Sequence, residues 1–187
     1  AFGRVTAQVE CTGKSTSSGT VHIRNYYDNY SFVGSGSFAS GYSAGNTTYC
    51  KGFLTGTEVT VLGSSGKICT VYHYDGKGRV IKSVGNNLLG GMETITTTYS
   101  FTDQPLTVTH THTASGKTSR TEVYTYTYDE KDRVSTVKHK LGSTEVTLAN
   151  YTYDALGRQS TKKLHGSSTN QLTYSYNIQN WLTEISS

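Results

Sequence analysis

An all-β chain built from repeated antiparallel hairpins is what this sequence predicts, and three observations carry that expectation. A string of the form Tyr-x-Tyr-Asp recurs; Thr occurs 31 times and Pro once; and no stretch has apolar residues at helical spacing with capping residues. The string appears as Tyr72-His-Tyr74-Asp75-Gly-Lys-Gly78-Arg79, Tyr126-Thr-Tyr128-Asp129-Glu-Lys-Asp132-Arg133, Tyr151-Thr-Tyr153-Asp154-Ala-Leu-Gly157-Arg158 and Tyr174-Ser-Tyr176-Asn177-Ile-Gln-Asn180-Trp181. Its last three copies start 25 and 23 residues apart, at Tyr126, Tyr151 and Tyr174. A period in the twenties belongs to small units that bury a core only by stacking on their neighbours. The expected product is an extended, curved or spiralling sheet.

Each copy begins with a strand. Tyrosines at i and i+2 point to one face, and Tyr124 extends that face to three rings with Tyr126 and Tyr128. The other face carries Thr125, Thr127, Thr152 and Ser175, which tolerate water, so the alternation reads as a half-buried strand.

A turn follows. Asp or Asn after the second tyrosine suits the first position of a type I turn, where its side chain accepts from the backbone two residues on. Three residues later stand Gly78, Asp132, Gly157 and Asn180, types that tolerate the positive φ of a left-handed bulge residue. The chain then resumes as strand from Arg79, Arg133, Arg158 and Trp181, which makes each unit a hairpin followed by a return loop. The 54 residues from Tyr72 to Tyr126 leave room for one more copy near Tyr99-Ser-Phe101. In that frame Pro105 falls at the bulge position, which its fixed negative φ prevents it from filling, so the register there is open.

Residues 1–70 form an N-terminal β segment and residues 71–187 the hairpin array. Gly3 to Glu10 and Thr20 to Phe32 are strand-like, and Tyr26-Tyr27-Asp28 within the second is a candidate divergent copy. Residues 33–48 are dominated by Gly and Ser and read as a long loop, of the kind that is functional or mobile. Gly63-Ser-Ser-Gly66 reads as a hairpin turn leading into the first clear copy.

Leu, Ile, Val and Phe make up 36 of 187 residues, near the level at which disorder becomes a concern, but the net charge is only +4 and 15 tyrosines supply area to bury. The core is therefore expected to be thin and aromatic. No apolar run reaches the length of a membrane span. The first residue is Ala and Met92 is the sole Met, which reads as a fragment or processed product. Cys11, Cys50 and Cys69 have no zinc-site spacing; one disulfide with a spare thiol and three buried thiols are both open.

The repeats resemble the YD-repeat, or Rhs, family of bacterial surface and secreted proteins, through Tyr74-Asp75-Gly76-Lys77-Gly78-Arg79-Val80, Tyr128-Asp129 with Arg133-Val134, and Tyr153-Asp154-Ala155-Leu156-Gly157-Arg158. The resemblance covers roughly residues 70 to 187; Lys51 to Thr57 and Leu88 to Gly91 look like what precedes the repeats in large members. It implies a wall segment of a hollow β-shell, a place at the cell surface or outside the cell, and as partners the remainder of a parent chain and an enclosed C-terminal domain. The core motif that closes such shells does not appear before Ser187, nor does a toxin domain, and about five repeats are too few to enclose anything.

Candidate sites are sparse, and no catalytic residue, cofactor or metal is expected. His110 and His112 share one face of a strand, a geometry that holds a metal only if a third ligand arrives; two solvated histidines is the plainer account. The aspartates recur once per hairpin and so look architectural. Lys138, Lys140, Lys162, Lys163 and the post-turn arginines are spread along the chain and read as a solvated face, with no nucleic acid implied. A ladder of tyrosines is also a platform for stacking sugar rings, which leaves a carbohydrate-binding or adhesive module as the alternative; Phe38, Tyr42 and Tyr124 are the candidate ligand-stacking residues. The repeat tyrosines themselves are expected to pack copy against copy.

Overall fold

A computed structural model describes residues 3–10 and 19–187. Thirteen antiparallel strands follow one another in sequence order in one open sheet: β1 (Ala7–Glu10), β2 (Thr20–Tyr27), β3 (Leu54–Thr60), β4 (Lys67–Tyr74), β5 (Val80–Asn86), β6 (Met92–Tyr99), β7 (Pro105–His112), β8 (Arg120–Tyr128), β9 (Val134–Leu141), β10 (Thr144–Tyr153), β11 (Gln159–Leu164), β12 (Gln171–Tyr176) and β13 (Leu182–Ser186). Two single 3-10 turns, Gly36–Phe38 and Ser168–Asn170, are the helical elements among the described residues. The all-β expectation holds because the chain alternates tyrosine with hydroxylated residues at period two and interrupts itself with turn formers every few residues.

The chain divides into two compact units. One comprises Ala1–Thr96 with His110–Ser119, the other Thr97–Thr109 with Arg120–Ser187.

The first unit holds the densest core, made of Tyr30, Phe32, Phe38, Cys50, Cys69, Val71 and Tyr74. β2 ends at Tyr27, short of the expected Phe32, because Asp28 turns the chain. The segment from Asp28 to Phe53 then folds onto the sheet face that carries Cys69, Val71 and His73. Its rings pack on each other and on Tyr26: Tyr26 stacks on Phe32 at 4.2 Å centroid to centroid, while Phe32 meets Phe38 edge to face at 4.7 Å and Phe38 meets Tyr42 the same way at 5.2 Å. The Gly- and Ser-rich loop expected at 33–48 is thus a plug whose aromatic side chains supply the core that the thin sheet lacks. Gly56 makes room for it, since a Cβ there would stand 2.5 Å from Phe32 Cζ.

In the second unit the sheet keeps its two faces distinct. Tyr124, Tyr126 and Tyr128 share one face with cross-strand partners His139, Val137 and Val134. On the other face hydroxyls bridge strands: Thr127 to Ser135 at 2.9 Å, and Thr152 to Ser160 at 2.8 Å and to Thr161 at 2.6 Å. Water-tolerant ladders of this kind need no covering layer, as the alternation implies.

Candidate functional site

Each repeated string ends its first strand in the same five-residue turn. In the copy beginning at Asp75, Asp75 N–H donates to the Arg79 carbonyl and Gly78 N–H to the Asp75 carbonyl; Asp129, Asp154 and Asn177 lead identical pairs. The leading side chain accepts from the backbone two residues on, as at Lys77, Lys131 and Gln179, and again four residues on, at Arg79, Arg133, Arg158 and Trp181. Gly78, Asp132, Gly157 and Asn180 all take positive φ, at 78°, 62°, 88° and 64°. A register shift follows the same step in every copy: Tyr74 pairs with Val80, Tyr128 with Val134, Tyr153 with Gln159 and Tyr176 with Leu182. The expected turn with its bulge is present in all four.

The arginines depart from the expectation of a solvated face. Arg79, Arg133 and Arg158 each donate from Nε to the carboxylate of their own turn, at 2.7, 2.7 and 2.6 Å, and are only about a quarter exposed. Such bonds favour the ionised carboxylate. The Arg133 side chain and N–H hold Asp129 down at about 2. Partial burial pushes Asp154 and Asp75 up, but bonds from Arg158 and Arg79 outweigh it and leave both below the usual range.

Successive copies are joined by the second tyrosine. Tyr74 Oη donates to the Leu54 carbonyl, Tyr128 to Pro105, Tyr153 to Val134 and Tyr176 to Gln159, at 2.6 to 2.9 Å. Each acceptor is the first strand residue after the preceding turn. The residue just before that acceptor covers the ring: Arg133 lies 4.2 Å above Tyr153, Arg158 4.7 Å above Tyr176, and Phe53 stacks on Tyr74 at 4.8 Å. Burial pushes the Tyr74, Tyr128 and Tyr153 phenols up, which keeps them as donors at ordinary pH. Turns also touch turns, since Arg158 Nη1 donates to Asn177 O and Asn180 Oδ1, and Gln104 Nε2 to Asp132 O. The first tyrosines, Tyr72, Tyr126, Tyr151 and Tyr174, are half-buried on the same face.

Two further copies lie where the string is degraded. The frame near Tyr99 is two residues earlier than Tyr99-Ser-Phe101: Tyr99 takes the second-tyrosine position, Ser100 the turn-leading one, and Asp103, at φ 68°, the bulge, which leaves Pro105 as a strand residue whose missing N–H is harmless. Ser100 N–H donates to Gln104 O, and Ser100 Oγ accepts from Thr102 and Gln104. Tyr27-Asp28 is the other copy, with a turn split by an insertion. Asp28 N–H donates to Phe53 O, Asp28 Oδ1 accepts from Gly52 N–H, and Gly52 has φ 87°, so Gly52-Phe53-Leu54 closes a turn that Asp28 opened 24 residues earlier. No arginine follows Gly52, and Arg4 supplies the guanidinium instead, 2.6 Å from Asp28 Oδ2.

Arg4 also lies 4.7 Å above the Tyr27 ring, and Tyr27 Oη donates to Val5 O. Gly3-Arg4-Val5, with Gly3 at φ 62°, therefore does for Tyr27 what a complete turn does for the next tyrosine. The matching Gly78-Arg79-Val80 is the sequence signal by which it was findable.

His110 and His112 are not free in solvent. Both bond Glu93, His110 Nε2 at 2.7 Å from Oε2 and His112 Nδ1 at 2.5 Å from Oε1, and Asn87 donates to the same carboxylate. Partial burial pushes Glu93 up, and the bonds from Asn87, His110 and His112 more than reverse it. Among the described residues no group of His, Cys, Asp and Glu is arranged to hold a metal ion. Phe38 is 2% exposed and has no face open to a ligand; Tyr42 packs against it with its hydroxyl on Cys69 O. Tyr124 is half-buried beside the His139 ring, 4.7 Å away. Cys50 and Cys69 are buried free thiols, and Cys11 lies outside the described residues. Lys138 pairs with Glu145 at 3.0 Å, and Lys162 lies 5.8 Å from the Tyr151 ring.

No protein-family model matches the chain. No curated protein matches it in sequence. Among solved structures it is similar to a chain of a TcdB2-TccC3-Cdc42 crystal structure, with 12% identity and a TM-score of 0.37, over 97% of this chain and 11% of that one. The chain thus spans about a tenth of the length of its structural neighbour.

Proposed function

We propose that the chain is a structural repeat segment of a larger surface or secreted bacterial protein of the Rhs type, forming part of an encapsulating or displaying β-shell. One observation carries this reading: the residues that recur are consumed by the array itself. Tyr74, Tyr128, Tyr153 and Tyr176 each spend the hydroxyl on the preceding copy, and Arg133 and Arg158 spend both charge and surface on joining turn to strand. Side chains committed in this way build a wall and leave little for substrate chemistry. The partners that follow are the remainder of a parent chain and a domain enclosed by it, and no catalytic role is assigned. Among the described residues no helix is long and apolar enough to cross a membrane.

A carbohydrate-binding or adhesive surface is the second reading, favoured by the half-buried first tyrosines on one face, with Lys162 beside Tyr151 and His139 beside Tyr124. Glycan arrays probed with the purified protein separate the two. The structural reading expects no glycan retained above background and a large melting-temperature loss for Tyr153→Ala. Specific capture that disappears in Tyr124→Ala and Tyr151→Ala proteins with unchanged melts would overturn it.

A further inference from the structure

At four junctions the residue that closes one turn lies against the positive-φ residue of the next: Phe53 against Gly78, Gln104 against Asp132, Arg133 against Gly157 and Arg158 against Asn180. The chemistry of the pair differs from junction to junction. Phe53 leaves no space for a side chain, since a Cβ on Gly78 would stand 2.6 Å from Phe53 Cζ. Gln104 Nε2 donates to the Asp132 carbonyl at 3.0 Å. Arg158 Nη1 donates to Asn180 Oδ1 at 2.9 Å and to Asn177 O at 3.3 Å. Arg133 brings the same nitrogen to Gly157, where a Cβ would stand 3.4 Å away. Glycine has no side-chain acceptor to offer, and Arg133 Nη1 is buried without a hydrogen-bond partner among the described residues.

We propose that this pair is the specificity determinant of the array: the closing residue of one turn selects the positive-φ residue of the next, phenylalanine requiring glycine and arginine favouring asparagine, so that the pairs govern which copy stacks on which. This rests on the reading of the chain as a structural repeat segment.

The other contacts between copies are shared and cannot discriminate. The tyrosine hydroxyl bonds a backbone carbonyl, at residues as unlike as Leu54, Pro105, Val134 and Gln159. The ring that Phe53, Arg133 and Arg158 cover is tyrosine each time. The ion pairs of Arg79, Arg133 and Arg158 with aspartate lie within one turn. The closing and positive-φ residues instead set two variable positions of different copies against each other. A guanidinium donor gains from an acceptor, because a buried donor without one keeps its desolvation cost and a charge-assisted bond is among the stronger kinds. Asparagine supplies that acceptor from a backbone with positive φ, which it tolerates better than most side chains do; Asn180 does so at 64°.

The same substitution at two equivalent positions of the full chain tests the rule by differential scanning calorimetry. Gly157→Asn gives Arg133 the acceptor that Asn180 gives Arg158, and should raise the melting temperature by about 2 to 4 °C. Gly78→Asn drives a side chain into Phe53 and should lower it by at least about 2 °C. Gly157→Ala, a Cβ without an acceptor, should lower it as well, and Arg133→Ala should cancel the gain from Gly157→Asn. A second series covers the case in which Arg133→Ala does not fold: Asn180→Gly should lower the melt by about 2 to 4 °C, and Asn180→Asp, which keeps the acceptor, should not. A loss for Gly157→Asn as large as that for Gly157→Ala, a gain that survives Arg133→Ala, or the same response to asparagine at Gly78 and Gly157 overturns the proposal. If the rule fails in this way while Tyr153→Phe still lowers the melt, the structural reading stands without it; if Tyr153→Phe is neutral too, both fall.

Discussion

The Tyr153 hydroxyl donates to the Val134 carbonyl at 2.8 Å while Arg133, the residue before that carbonyl, lies 4.2 Å above the Tyr153 ring. One tyrosine is thus gripped at its ring and its tip by two consecutive residues of the preceding hairpin. Tyr153→Phe keeps the ring and removes the tip, and should cost about 0.5 to 1.5 kcal/mol, read as a shift in the urea midpoint. Arg133→Ala, which also strips the Asp129 partner, should cost more. A neutral Tyr153→Phe would mean that the hydroxyl exchanges with water at no loss.

Gly157 sits at φ 88°, where a β-branched residue is strained, and its Cβ would stand 3.4 Å from Arg133 Nη1. Gly157→Val should destabilise its hairpin by about 1 to 3 kcal/mol. A thermal melt with no loss would show the turn to be something else in solution.

Acid should unfold the array in two stages. Burial first, and then Lys82, lower the pKa of His73, whose imidazole bonds Ser43 O. A base with a lowered folded pKa contributes stability above its unfolded value of about 6.5 and loses it as pH falls. The turn carboxylates come second: Asp129, at about 2, contributes stability that is complete above its unfolded value of about 3.9 and lost as pH falls through 2. Melts from pH 8 to pH 2 should show both declines, with His73→Phe removing the first and Asp129→Asn reducing the second. A flat profile between pH 4 and pH 2 would contradict the carboxylate assignment.

Ser100 and Gln104 hold the positions of Asp and Arg in a weakened copy. The double change Ser100→Asp with Gln104→Arg restores the ion pair made by Asp154 and Arg158 and should stabilise by up to about 1 kcal/mol, since the pair stays partly exposed. Differential scanning calorimetry reads it; a lowered melting temperature would mean that the Gln104 bond to Asp132 O matters more.

Phe38→Ala should cost about 3 to 5 kcal/mol, the loss for a buried aromatic, and unfold the 28–53 plug as read by amide exchange. A ligand-stacking Phe38 would instead leave the melt unchanged.

Hairpins, faces and turns were legible in the sequence because they are local: tyrosines at period two, a side chain that caps its own backbone, and residues that accept positive φ. Even the degraded copy at Tyr99 follows these rules once Asp103 is taken as the bulge. The ion pair within each turn was legible in principle, four residues apart, but a spread of arginines along a chain does not distinguish pairing from solvation.

By itself, then, the sequence determined an antiparallel array with a repeat in the twenties, since each unit's strand and turn preferences act within a few residues. Tertiary structure alone decided that Arg4 serves Asp28 and Tyr27, that Gly52 closes a turn opened at Asp28, and that Phe38 is core rather than surface. Those contacts join residues more than twenty apart or depend on which face an insertion covers, and neither periodicity nor composition carries that information until the chain has folded back on itself.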